Sequence, residues 1–339
     1  MTRRACLTPI IVLFLAAAAG TATAQVFESA GSRALGMGGA FVAVANDSTA
    51  TWWNPAALPT GPFVDVSFDR ASTTGGDAAP SWRQRTTGVA LLTPPVGLSF
   101  YRYSVADVRA PGFGGTGSGE VQATGGGRET RVRVLTVNQV GGTFVQSLAD
   151  GVHVGATLKY LSGHAAERVV PVLSDGAALR GQAAETDAGG WDAAFDLDLG
   201  GIVVRGPVRA GVTLRHATRP SFGAGEGMAL PRQARAGLAY DGDEAGHGPY
   251  LVSMDVDLTS IETVSGERRN VAMGLERWVM AKRVGIRGGA RVNTLGAHER
   301  TVTAGASLLA RPGMYVEGHV ALGGSMDDRG WSLGARVTF

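Results

Sequence analysis

An alternation of period two, repeated along most of the chain, constrains its fold more than any other feature. Fourteen segments carry it, at about 62–70, 83–92, 96–105, 129–148, 151–164, 188–204, 207–218, 231–241, 248–261, 266–281, 283–295, 298–310, 313–322 and 329–339. In one, Val208, Ala210, Val212 and Leu214 alternate with Arg209, Gly211, Thr213 and Arg215. In another, Tyr250, Val252, Met254, Val256 and Leu258 alternate with Ser253, Asp255, Asp257 and Thr259. Successive strand side chains point to opposite faces, so each segment predicts a strand with one apolar and one charged face. Alternation alone does not say which face is outside, because a soluble barrel and a membrane barrel share it with opposite sense. Each segment is at least about the 9–11 residues that a tilted strand needs to cross a bilayer.

The connections sort by length. Thr93-Pro94-Pro95, Ala149-Asp150-Gly151, Arg205-Gly206-Pro207, Ala281-Lys282-Arg283 and Arg311-Pro312-Gly313 are tight turns. Between them lie the longer links 71–82, 106–128, 165–187 and 219–230. Long links fall at odd connections and very short turns at even ones, against which stand 241–247, a longish even turn, and 296–297, a short odd one. This is the asymmetry of a transmembrane barrel with short turns on the periplasmic side. A soluble sandwich has no reason to sort loops by parity.

Both termini agree. Trp331, Leu333, Ala335, Val337 and Phe339 share one face of a last strand that ends the chain. This resembles the closing strand of bacterial outer-membrane barrels, which implies Phe339 as an assembly signal and the barrel-assembly machinery as a partner. At the other end Arg3 and Arg4 precede an apolar run, Pro9 to Gly20, and the small-residue site Ala22-Thr23-Ala24. Residues 1–24 therefore read as a signal peptide, since the run is too short to span a bilayer as a helix. Its removal takes Cys6, the one cysteine, and lowers Lys+Arg from 31 by two arginines to 29, equal to the 29 Asp+Glu. A formally neutral chain without a polybasic run gives no sign of a nucleic-acid partner. The 51 glycines are spread through the alternating segments, as expected where strands bend around a barrel.

With the charged face inward, neighbouring strands set acids against bases in a lumen lattice. Asp192, Asp196 and Asp198 adjoin Arg209 and Arg215; Arg235 adjoins Asp255 and Asp257; Glu276 adjoins Arg287 and Arg291. The structural role of such a lattice outweighs a role as a charged pathway.

Residues 25–60 precede the first strand and have no spanning pattern. Gly36, Gly38 and Gly39 allow tight backbone paths, Asn46-Asp47-Ser48 suits a turn, and Trp52-Trp53 precede Asn54-Pro55-Ala56. The stretch RALGMGGAFVAVANDSTATWWNPAAL resembles the N-terminal hatch of FadL-type long-chain fatty-acid transporters. It is equally similar to the opening of PorV/PorQ-type proteins. The resemblance implies an all-β, fourteen-stranded transmembrane barrel over 61–339 with residues 25–60 as a luminal hatch. Asn54, Pro55 and Ala56 are then the hatch motif and the three glycines its base. It further implies passive transport of small hydrophobic compounds across the bacterial outer membrane, among its lipids and with both chain ends periplasmic. The alternatives are a type IX-like barrel that partners secretion components, and a purely structural barrel.

Enzyme chemistry finds little support. His153, His164, His216, His247, His298 and His319 are scattered without the spacing of a metal site, and no G-x-S-x-G marks a nucleophile elbow. Gly112-Phe113-Gly114-Gly115 has no following helix and reads as a loop rather than a cofactor cradle. No cofactor is expected.

Overall fold

The chain closes on itself where its last strand meets its first. The computed structural model describes residues 30–76, 80–108, 129–171, 190–223, 228–263, 266–296, 298–324 and 328–339. The expected signal peptide 1–24, residues 25–29 of the expected hatch, and most of the links 106–128 and 165–187 lie outside the described residues.

In chain order the strands are β1 (Asp65–Gly75), β2 (Ser81–Thr93), β3 (Val96–Val108), β4 (Glu129–Ala149), β5 (Val152–Pro171), β6 (Asp192–Arg205), β7 (Val208–Arg215), β8 (Ser221–Phe222), β9 (Met228–Ala229), β10 (Gln233–Asp241), β11 (Tyr250–Asp257), β12 (Ile261–Thr263), β13 (Gly266–Arg268), β14 (Asn270–Val279), β15 (Val284–Asn293), β16 (Arg300–Arg311), β17 (Met314–Gly323) and β18 (Arg329–Thr338). Fourteen of them form one closed antiparallel barrel, while β8–β9 and β12–β13 are separate two-stranded hairpins. Closure runs from Asp65↔Thr338 to Thr74↔Arg329, and the Phe339 N–H donates to the Val64 carbonyl at 3.0 Å. An antiparallel sheet can close this way only with an even number of strands. Closure pairs every wall strand on both sides, which a barrel in lipid requires.

All fourteen alternating segments are barrel strands, with shifted ends. β7 stops at Arg215 rather than 218, because His216 turns left-handed at φ 54. The link expected at 219–230 contains the β8–β9 hairpin, and β12–β13 takes the ends of the segments expected at 248–261 and 266–281. The link expected from 165 starts later, since β4 and β5 stay paired from Ala149↔Val152 out to Glu129↔Pro171.

The structure decides which face is outside. Phe68, Phe100, Tyr160, Phe195, Leu238, Met273, Ile286 and Leu333 point outward and are exposed, Phe195 at 68%. Their neighbours Asp69, Asp196, Lys159, Arg287 and Ser332 point inward and are buried. A soluble barrel would reverse this arrangement. An apolar belt around the whole wall is a surface for lipid.

Candidate functional site

The barrel interior is occupied by residues 30–60, nearly all of them buried. They fold as a short helix Ser32–Gly36, a single turn Ala50–Trp53 and a 3₁₀ turn Pro55–Thr60. Helices this short do not stand alone in water, and inward side chains from all around the wall hold this segment. Asp69 on β1 accepts from the Ser32 N–H (2.8 Å) and hydroxyl (2.9 Å). Asp255 on β11 accepts the N–H groups of Phe41 and Val42, both at 2.9 Å. Thr303 on β16 donates to the Gly36 carbonyl at 3.0 Å, and Ser253 donates to the Ala40 carbonyl at 2.7 Å. Arg33 makes a two-pronged contact with Glu276 on β14, at 2.8 and 2.7 Å. It also reaches Asn46 at 2.5 Å and Asp47 at 3.1 Å. Asp47 in turn caps the local turn by accepting from Thr49.

The wall makes room for this segment with glycines. Gly155 on β5, Gly200 on β6, Gly211 on β7, Gly237 on β10, Gly274 on β14 and Gly289 on β15 face inward against it. A Cβ on Gly200 would lie 2.2 Å from the Asn54 Oδ1, and one on Gly289 would lie 2.2 Å from the Met37 carbonyl carbon. Several are cross-strand partners: Gly155↔Gly200, Gly211↔Gly237 and Gly274↔Gly289. On the segment's side, Gly38 turns at φ +70 with its Cα against the backbone of Ala290, and Gly36 rests on Gly305. Gly39 completes the corner at φ 83. These wall glycines therefore serve close backbone approach as well as the bending expected from composition.

Asn54 anchors the other end. Its Nδ2 donates to the carbonyls of Val42 (2.9 Å) and Gly201 (3.2 Å), and its Oδ1 accepts from the Ala56 N–H (3.1 Å). Pro55 starts the 3₁₀ turn, where its missing N–H costs nothing. Trp53 stays within the segment, edge-on to Phe41, and donates to the Ala30 carbonyl at 3.0 Å. Trp52 faces the wall, edge-on to Tyr101 at 4.8 Å and Tyr103 at 6.0 Å. Around it Leu135, Val137, Leu161, Phe222, Met228 and Leu230 form one buried apolar cluster with the segment. This cluster is an aromatic-lined patch inside a wall that is elsewhere mostly polar and charged.

The charge lattice keeps some of its expected pairs and exchanges others. Arg215 meets Asp198 at 3.5 Å, Arg235 meets Asp257 at 2.6 Å and Arg287 meets Glu276 at 2.6 Å. Arg209 pairs with Asp241 at 2.6 Å instead of Asp196 or Asp198, because it lies at the opposite end of β7 from Arg215. Asp192 accepts the Gly223 N–H rather than an arginine. Arg291 pairs with Asp328 at 2.5 Å, not with Glu276, which is two inward positions away and held by Arg33 and Arg287. Asp328 also takes Arg268 at 2.7 Å, tying the β13 hairpin to the rim.

Sequence reasoning missed Arg33, Asp69 and Lys159. Lys159 bridges Asp196 (2.6 Å) and Asp198 (2.5 Å) at zero exposure. His216 joins them, with its Nδ1 2.7 Å from Asp196. Asp196, Asp198 and His216 offer atoms within 4.8 Å of one another, a grouping of metal-ligand type that their sequence spacing concealed. The Lys159 ammonium already supplies the cation there, also 3.2 Å from the His216 Nδ1. The Arg215 guanidinium caps the cluster, 3.7 Å above the Trp52 ring.

Strand number, closure and the outward apolar face together define a closed, fourteen-stranded antiparallel transmembrane barrel. Solved structures share it. The toluene transporter TbuX of Ralstonia pickettii matches with a TM-score of 0.61 and 14% identity, covering 92% of this chain and 99% of that one. The CymD monoaromatic hydrocarbon channel matches at 0.62 and 12%, covering 93% and 99%. The toluene transporter TodX of Pseudomonas putida matches at 0.58 and 11%, covering 93% and 99%. At such identities the likeness is one of fold. No protein-family model matches the chain, and no curated protein matches it in sequence.

Proposed function

We propose that this chain is a passive outer-membrane channel for small hydrophobic compounds, of the size and polarity of a single aromatic ring. The observation that carries this reading is the apolar patch around Trp52, Tyr101, Tyr103, Leu161 and Phe222, buried inside a barrel whose inner face is elsewhere mostly polar and charged. A water-filled pore for ions has no use for such a patch, whereas an apolar solute needs one to leave lipid or water favourably. The likeness in fold to barrels described as toluene and hydrocarbon transporters supports the same substrate class. In this reading residues 25–60 are the hatch that separates the two sides. Residues 1–24 are the export signal, and both chain ends are periplasmic. The reading is of a channel and not an enzyme: Lys159, Asp196, Asp198, Arg215 and His216 neutralise one another and hold the wall beside Trp52.

Uptake of radiolabelled toluene by cells producing the protein tests this reading. Uptake should exceed that of cells without it, and Tyr103→Lys, which puts a charge in the patch, should abolish the excess while leaving the barrel in the membrane. Equal uptake with and without the protein would overturn the proposal.

A further inference from the structure

The outer wall carries a second candidate site, away from the lumen. Barrel register arranges the outward residues of β18, β1, β2 and β3 in rows. The lowest row is Ala335, Phe68, Val89 and Phe100, part of the apolar belt. The next is Leu333, Arg70, Thr87 and Arg102; above it come Trp331, Ser72, Arg85 and Ser104, then Arg329, Thr74, Arg83 and Ala106. The upper three rows hold five arginines and no carboxylate. Four of the five, Arg70, Arg83, Arg85 and Arg329, line a cavity of about 650 Å³ together with Trp331. Two exposed cations elsewhere do have carboxylate partners, Arg131 with Glu167 at 2.9 Å and Lys282 with Asp243 at 2.7 Å. Among the described residues no carboxylate pairs with Arg70, Arg83, Arg85 or Arg102.

Their height matters as much as their charge. Rows are two residues apart, so the three arginine rows cover roughly 13 Å along the strands, about 10 Å of height at a tilt of about 40°, above the belt. That is headgroup depth, and Trp331 is the kind of side chain that settles there. Guanidinium groups match phosphate in shape and charge, two donors to two oxygens. The cavity lies at the barrel end opposite Phe339 and the tight turns, the end that loop asymmetry assigns to the outer surface.

We propose that this wall binds one multiply phosphorylated lipid of the outer leaflet. Arg70, Arg83 and Arg85 hold its phosphates, and its acyl chains lie on Phe68, Val89 and Phe100. A singly charged headgroup would leave most of the arginines uncompensated. The proposal rests on the barrel sitting in the outer membrane and is independent of what passes through the lumen.

Native mass spectrometry of barrels purified in mild detergent tests it. The probes are the bisphosphorylated disaccharide lipid (lipid A), the same lipid stripped of phosphate, and inorganic phosphate as competitor. One lipid A should stay on each wild-type barrel. Stripping its phosphates, or the triple change Arg70→Gln, Arg83→Gln and Arg85→Gln, should weaken retention at least about tenfold, since charge-assisted bonds are lost. The triple Lys variant keeps charge but not the two-pronged fit and should fall between; it also serves if the Gln variant does not assemble. Equal retention by every variant, or of the stripped lipid, would overturn the proposal. Displacement by millimolar phosphate would assign the site to free phosphate and overturn it too. Migration of unheated protein on SDS gels and toluene uptake, read in parallel, separate failure here from failure of the barrel or channel reading.

Discussion

Arg33 shows how one side chain can fix the interior of a barrel. It is buried, it forks onto Glu276 on the wall, and it reaches Asn46 and Asp47 within its own segment. Removing one member of a buried charge pair costs more than the pair contributes, because the partner stays behind uncompensated. Glu276 would keep Arg287, so the loss in Arg33→Met falls mainly on the segment, at about 1–3 kcal/mol. Limited proteolysis should then cut within residues 30–60 in the variant and not in the wild type, with the barrel intact. Arg33→Lys should recover only part, since an ammonium cannot fork. Asp328 gives a second expectation at this scale. Burial would raise its pKa, but Arg268 and Arg291 hold it well below the usual carboxylate range. A depressed carboxylate stabilises the fold fully above its unfolded pKa, near 3.9, and stops doing so as pH falls through the folded value. The melting temperatures of wild type and Asp328→Asn should differ by a constant amount from pH 7 down to about 4.5, and converge only below pH 4. Convergence between pH 7 and 5 would refute the pairing.

At the scale of elements, the wall glycines and the luminal segment form one fitted pair. Gly289→Val would drive a side chain into the backbone at Met37 and Gly38, where nothing flexible can yield. The strand itself tolerates valine well, so the segment must give way. Gly289→Val and a chain lacking residues 25–50 should therefore behave alike. Both should assemble, and both should conduct ions in planar bilayers where the wild type stays near zero. A truncated, folded barrel that stays closed would mean that another element fills the lumen. The fourteen strands were legible because alternation such as Val208 to Arg215 needs no partner to be read, and the turn parity ordered them. The interior pairs were less so. Arg209 and Arg215 share a face, but register sends one to Asp241 and the other to Asp198. Lys159 stands between Leu158 and Tyr160 as an isolated cation whose partners lie 37 and 39 positions away. Gly200 and Gly289 could be read as bends, since a glycine does not reveal whether its missing side chain serves a turn or a neighbour.

For the whole molecule, stability comes from closure more than from any single contact. Every strand pairs on both sides, so opening the ladder at one seam exposes two edges that lipid cannot satisfy. Unfolding should then be slow and cooperative, and unheated protein should run faster on SDS gels than boiled protein. The seam is also where the end of the chain matters. Phe339 lies outside the last ladder pair, 79% exposed, with its N–H on the Val64 carbonyl. Its ring touches little, so replacing it should hardly change the stability of a finished barrel. Phe339→Asp keeps the backbone bond and should leave the melting temperature of refolded protein within about 2 °C of wild type, as surface changes do. If the ring serves assembly, the same change should leave newly made chains unassembled in the periplasm. A finished barrel of unchanged stability, reached in vitro but not in cells, would separate recognition of the terminal ring from its contribution to the fold. Normal assembly of Phe339→Asp in cells would remove the assembly role.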